Sequence, residues 1–361
     1  MKQNIFQAIG LADLEKVHSV VIGWMLSENC NAFNIKAKSE LLCKIFGASA
    51  STFKKINVIV EIHNLDILIV TEDEKSEKIY WVIENKIKSS QRKDQLKDYV
   101  DSLSKIAGSC NKMYCFLSLI SEEPQCKKPK WQCTTYGQLA GYLDDALKYS
   151  KDGEKDYIMV SDYLECIKSL DKALKDFLDN PRLYPNVFTD GSKRKEDKEF
   201  ENVNFIGKHN LETIFQKCYL KQILHGLEVE LSAETSVNET RGTALIDYLS
   251  FIKLPCGLES HIQIQNGTFK VFLCMQNDKD CSKDVFLEKW FTLFDNLGKK
   301  HSSWHINKPK RKPSISLSIS NKEWYMSSYT DIVKRWKELY VESKEIQNEL
   351  VNEIQGISRK I

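Results

Sequence analysis

The chain has 361 residues, a net charge of +2, 42% hydrophobic and 28% charged residues. That length calls for two cores, because a single core stops growing at roughly 250–300 residues. The near-neutral charge excludes a surface that coats a polyanion wholesale, so any nucleic-acid contact must be local.

Residues 4–28 are predicted to form a helix, since Leu11, Leu14, Val17, His18, Val21, Ile22 and Met25 keep the spacing of one buried face. A second helix is expected around Ala37–Phe46. The period then changes. The β-branched runs Asn57–Ile62, Leu65–Val70 and Ile79–Ile87 predict strands, with a charged turn at Thr71–Lys78. Ser89-Ser-Gln is expected to open a helix carrying Gln91, Gln95 and Tyr99 in line. Strands at Lys112–Ser118 and Trp131–Tyr136, a helix at Tyr136–Leu147 and another at Tyr157–Asp179 follow. The order predicts an α/β core whose central mixed sheet is flanked by helices.

Asn180-Pro-Arg-Leu-Tyr-Pro and the charged run Ser192–Glu199 mark a boundary, giving domains 1–180 and 200–361. The second reads as α+β. Strands are expected at Leu227–Glu234, Thr243–Lys253, Glu259–Ile264, Thr268–Cys274 and Ser314–Ser320, with Asn266-Gly267 as a hairpin turn. Helices are expected at Asp284–Leu297 and from about Thr330. The apolar stripe Ile332, Trp336, Leu339, Tyr340, Ile346, Leu350 suits internal packing or a homodimer. Recognition, sensing or dimerisation is the expected role of this domain.

The eleven cysteines show no Cys-x-x-Cys and no knuckle spacing, so reduced thiols are expected, with a zinc site or redox pair as the alternative. No stretch reaches the ~18 apolar residues of a membrane span. The opening Met1-Lys-Gln-Asn-Ile-Phe lacks the apolar core of a signal peptide. A cytoplasmic protein without a membrane partner is expected.

One constellation carries chemistry. Asp66 interrupts an apolar strand, and Glu84 and Lys86 share a face of the next by period two. A tight connection makes the strands antiparallel neighbours, so the three charges can meet. Charges inside apolar strands are costly unless paired or metal-bound. A buried salt bridge is the plain alternative.

The motifs Leu65-Asp66-Ile-Leu-Ile, Ile83-Glu84-Asn85-Lys86-Ile87 and Gln95-Leu96-x-x-Tyr99 resemble those of the PD-(D/E)xK nuclease superfamily. Glu15-x-x-His18-Ser19 and Trp24-Met-Leu are similar to a prokaryotic, defence-type branch. The resemblance covers about residues 8–150, and Leu65 stands where the motif has proline. It implies a restriction-endonuclease-like core and Mg²⁺ (or Mn²⁺) held by Asp66, Glu84, the Asn85 backbone carbonyl and Glu15. Lys86 would orient the attacking water, take its proton or stabilise the phosphate, and Gln95 would assist it. Tyr99 is a candidate phosphate contact. So is the basic cluster Lys308, Lys310, Arg311, Lys312.

The function expected is a metal-dependent endonuclease acting on nucleic acid, with DNA as substrate and a role in restriction or anti-phage defence. A homodimer and a defence-system partner protein are expected companions. A ribonuclease and a non-catalytic nucleic-acid-binding scaffold are the alternatives. His18 and His63 read as structural groups, and Glu61 is balanced between the site and the opposite strand face.

Overall fold

The computed structural model describes residues 4–89, 91, 94–126, 128–149, 155–189, 201–240, 242–277, 279, 281–308 and 312–358. The chain forms two compact units, Met1–Asp179 with Asp197–Ile214, and Asn180–Glu196 with Phe215–Ile361. Residues 201–214, expected in the second domain, thus lie in the first unit, where α7 packs on α6.

The first unit opens with α1 (Ile5–Ala8) and α2 (Glu15–Leu26). The single helix expected over 4–28 is broken between them, where Gly10 takes a φ of 74°. Next come α3 (Ile35–Ile45), β1 (Lys55–Ile62), β2 (Leu65–Glu72), β3 (Lys78–Lys86), α4 (Gln95–Ala107), β4 (Asn111–Ser118), β5 (Gln132–Thr135), α5 (Tyr136–Leu147), α6 (Lys155–Asp179) and α7 (Glu201–Lys208). The sheet order is β1-β2-β3-β4-β5. The first three strands are antiparallel and β3, β4 and β5 are parallel, which makes the sheet mixed. His63 and Asn64 join β1 to β2 with φ of 50° and 64°, the backbone of a type I′ turn that matches strand twist.

Strand β3 is central and buried on both faces from Trp81 to Asn85. On one face Val82 meets Leu96, Tyr99 and Leu103 of α4, with Tyr114, Phe116 and Trp131. On the other, α2 packs against β1, β2 and β3, and α3 and α5 lie beside it. Gly23 lets α2 approach closely, because a Cβ there would fall 2.5 Å from a Val60 methyl.

The second unit takes up α8 (Glu212–Gly226) from Phe215 on, followed by β6 (Ser236–Thr240), β7 (Thr243–Lys253), β8 (Leu258–Gln265), β9 (Thr268–Met275), α9 (Lys283–Lys300), β10 (His305–Asn307), β11 (Ser314–Ser320) and α10 (Tyr329–Ser358). The antiparallel order is β10-β11-β9-β8-β7-β6. Asn266 and Gly267 make the expected hairpin turn, with φ of 46° and 69°. Residues 227–234, expected as a strand, are not one, and pairing with β7 begins at Ser236. The α10 stripe packs internally on β8 and β9, with Ile332, Trp336, Leu339, Tyr340, Ile346 and Leu350 all buried.

Candidate active site

Hairpin geometry brings the charges together. The β2–β3 register ends at Ile67 opposite Ile83. Asp66 and Glu84 are therefore the next residues out on facing strands. Asp66 Oδ2 accepts the Asn85 backbone N–H at 2.8 Å, and Asp66 Oδ1 accepts the Tyr99 hydroxyl at 3.2 Å. Lys86 Nζ donates to Glu84 Oε1 at 2.7 Å. Gln95 Nε2, on the first residue of α4, donates to the same oxygen at 2.7 Å.

Glu84 has 0% exposure, and its second oxygen, Oε2, has no hydrogen-bond partner. Burial, reinforced by the nearby Asp66 charge, pushes the Glu84 carboxyl up to about 7. Burial also raises Asp66, against the Asn85 N–H and the Lys86 charge. For Lys86, burial opposes the charged form, but the Glu84, Glu15 and Asp66 carboxylates outweigh it and hold the ammonium above its usual range.

Glu15 stands at the start of α2. Its Oε1 accepts the backbone N–H groups of Ile87, Lys88 and Ser89 at 2.9, 3.1 and 2.9 Å, and the Ser89 hydroxyl at 2.8 Å. Burial raises its pKa, yet these donors win and the carboxyl lies below its usual value. Glu15 thus holds the loop after β3 through Oε1, while Oε2 accepts, among the described residues, only the Ser89 hydroxyl, at 2.8 Å. The helix expected from Ser89 starts at Gln95. Gln91 lies before it, donating to the Glu123 carbonyl and accepting from Gln125 N, each at 2.9 Å.

Asn85 points to the opposite face from Glu84 and Lys86. Its Nδ2 donates to the Glu15 carbonyl at 2.9 Å and Ser19 Oγ at 3.1 Å, and its Oδ1 accepts the Tyr136 hydroxyl at 2.6 Å. His18 is structural, as expected. Its Nδ1 meets the Tyr163 hydroxyl and its Nε2 the Ala12 carbonyl, both at 2.9 Å. Burial drives its pKa down to about 4, so it is neutral.

Other candidates separate. Tyr99 is buried at 4% exposure, with its hydroxyl on Asp66. Glu61 pairs with Lys16 at 2.6 Å on the surface. It sits at an irregularity of β1, with a φ of 55°. His63 belongs to the β1–β2 turn and is exposed. In the second unit Lys308 and Lys312 are exposed, and Lys308 Nζ lies 3.8 Å from the Phe291 ring centroid. Lys310 and Arg311 lie outside the described residues.

Sequence spacing missed one neighbouring group. Asp13 pairs with Lys88 and meets His209 Nδ1 at 3.3 Å, across 196 residues. No local pattern signals a contact of that separation.

Two carboxylates on facing strands, an unpartnered buried oxygen and a lysine on the same face suit a hard divalent cation and a phosphodiester. Residues 3–165 match the family model described as the PD-(D/E)XK nuclease superfamily. No curated protein matches the chain. Family match, mixed sheet and site geometry coincide in the first unit, and the chain carries a PD-(D/E)XK superfamily nuclease domain.

Proposed function

We propose that the first unit is a Mg²⁺- or Mn²⁺-dependent endonuclease acting on DNA. The observation that carries this is Glu84 Oε2, a fully buried acceptor without a partner beside Asp66. A buried carboxylate oxygen left unpaired is expensive, and a divalent cation between the two acids removes both that cost and their repulsion.

Asp66 and Glu84 would hold the ion. The Asn85 carbonyl would be the third ligand. Along a strand, the N–H and C=O of one residue point to the same side, and successive residues alternate. The Lys86 carbonyl accepts Leu119 N, toward β4, whereas the Asn85 N–H points to Asp66 on β2. The Asn85 carbonyl therefore faces Asp66 too. Glu15 fixes the loop beside the site through Oε1, and its Oε2 would complete the ion's surroundings directly or through water.

When bound, the ion supplies a water of lowered pKa and positive charge against the phosphate. Lys86, whose ammonium the neighbouring carboxylates favour, would orient the attacking water and stabilise the phosphate. Gln95 and Lys86 together fix the Glu84 carboxylate. Tyr99 and the Asn85 N–H fix that of Asp66. The basic cluster at 308–312 is assigned to phosphate contacts, and a defence role rests on the resemblance of the α2 motif.

Cleavage assays test this. The full chain should cut duplex DNA with Mg²⁺ or Mn²⁺ and stop with a chelator. Lys86→Ala should lower cleavage by about 100-fold or more while the fold and metal binding persist. Parallel single-stranded DNA and RNA substrates separate the ribonuclease reading. Failure to cut any of them under all metal conditions favours a binding protein.

A further inference from the structure

Away from the nuclease site, the sheet of the second unit carries a second group of metal-ligating side chains. Glu259 and His261 are two apart on β8, so they share a face. Cys274 on β9 is paired directly with Glu259, and His261 with Phe272. Carboxylate oxygen, imidazole nitrogen and thiol sulfur all lie within 4.8 Å of one another. Cys274 Sγ is 3.5 Å from Glu259 Oε1 and 3.9 Å from His261 Nδ1.

Those separations have a meaning. Around tetrahedral zinc, bonds of about 2.3 Å to sulfur and about 2.0–2.1 Å to nitrogen or oxygen put the ligand atoms about 3.5 Å apart. The two separations from Cys274 Sγ, 3.5 and 3.9 Å, are already near that spacing.

The surroundings add independent support. His261 Nε2, the nitrogen turned away from the cysteine, lies 3.8 Å from Asp247 Oδ1. Metal-bound histidines commonly present their second nitrogen to a carboxylate, which fixes the tautomer and ring orientation. Gln263 Nε2 holds the same Asp247 oxygen at 3.3 Å. The β7 register shifts between Ile246 and Ser250, with Tyr248 at a φ of 50°. Bulges of this kind re-aim side chains beside functional sites. Here the bulge carries Asp247. The imidazole is stacked on Phe272 at 4.9 Å and flanked by Tyr248 at 4.8 Å, so its ring plane is set. The cluster opens on a cavity of about 650 Å³ that Lys279 and Lys312 also line.

We propose that Glu259, His261 and Cys274 form a Zn²⁺ site, with Asp247 orienting His261 and a fourth coordination position open to the cavity. Three protein ligands with an open position is the pattern of a zinc site that binds a further ligand. A thiolate and an imidazole select a borderline-soft ion and reject Mg²⁺, whose preferred ligands are all oxygen. This site is therefore chemically separable from the one at Asp66 and Glu84.

The test is a Co²⁺ titration of the full-length protein, followed by competition with Zn²⁺ and with Mg²⁺. A thiolate-to-cobalt charge-transfer band should grow, collapse with Zn²⁺ and persist with Mg²⁺. Cys274→Ser should abolish the band with unchanged far-ultraviolet circular dichroism. Asp247→Asn should keep the band and weaken Zn²⁺ binding by about 10–100-fold. No band in the wild type overturns the site, and so does a band that survives in Cys274→Ser, which would place the metal on other thiols. Should His261→Ala misfold, His261→Gln keeps the ring's place occupied by a poorer ligand and must also lose affinity.

Discussion

Gln95 holds one oxygen of Glu84 at 2.7 Å and leaves the other, Oε2, unpartnered inside the protein. The amide thereby fixes the direction in which Glu84 can bind a cation. Gln95→Ala should leave the fold intact but weaken Mg²⁺ affinity or cleavage by about 10–100-fold, as loss of a ligand-orienting partner does. Calorimetric Mg²⁺ titration read beside cleavage rates checks this. An unchanged affinity and rate would reduce Gln95 to packing.

Metal binding should also stabilise the fold, and with a definite pH dependence. The folded-state pKa of Glu84, about 7, exceeds its ordinary value of 4.5. The stability linked to this raised pKa is present below the unfolded value and is lost as pH rises toward 7. A cation competes with that proton. The rise in melting temperature on adding Mg²⁺ should therefore be larger at pH 8 than at pH 5, and absent in Glu84→Gln. Thermal melts with and without chelator would show it, and equal shifts at both pH values would contradict it.

The pattern of legible and illegible features follows from range. Asp66, Glu84 and Lys86 were readable because strand period two and one tight turn are local. Gln95 and Tyr99 followed from helical spacing. The role of Glu15 was not, because its donors lie 72–74 residues away on a loop whose shape depends on it. Helical spacing puts Tyr99 on the right face, but its bond to Asp66 is not legible, since burial is a tertiary property. Residues 227–234 alternate apolar and charged side chains like a strand, yet the Glu230 carbonyl takes the Tyr340 hydroxyl at 2.9 Å. A side chain there meets a need that a ladder would otherwise meet.

Glu15→Gln tests the loop assignment. It removes the charge that three backbone N–H groups and a hydroxyl converge on. Hydrogen bonds to a charged acceptor contribute more than neutral ones, so a loss of about 1–3 kcal/mol is expected in chemical denaturation. Hydrogen exchange at residues 87–89 should accelerate. Unchanged exchange there would reject the anchor role.

His18 supplies an acid-side prediction. Its folded pKa of about 4 lies below the ordinary 6.5. Between those values the unfolded chain binds a proton that the folded one refuses, so stability falls as pH drops. The contribution is on the order of 3 kcal/mol over that window. The stability difference between wild type and His18→Gln should shrink as pH falls from 6.5 to 4. A constant difference would mean His18 titrates normally.

Asn85 lies between Glu84 and Lys86 and faces the other way, into Ser19 and Tyr136. That alternation acts as a proofreading key for the fold. Were β3 to slide by one residue against its neighbours, a carboxylate or an ammonium would be driven in among Tyr136, Tyr163 and His18, while the amide took its place among the acids. Such a misthreaded chain strands a charge and breaks up the Asp66, Glu84 and Lys86 cluster in the same step. An improperly assembled copy is therefore unstable, and under the proposed function it would be harmless as well.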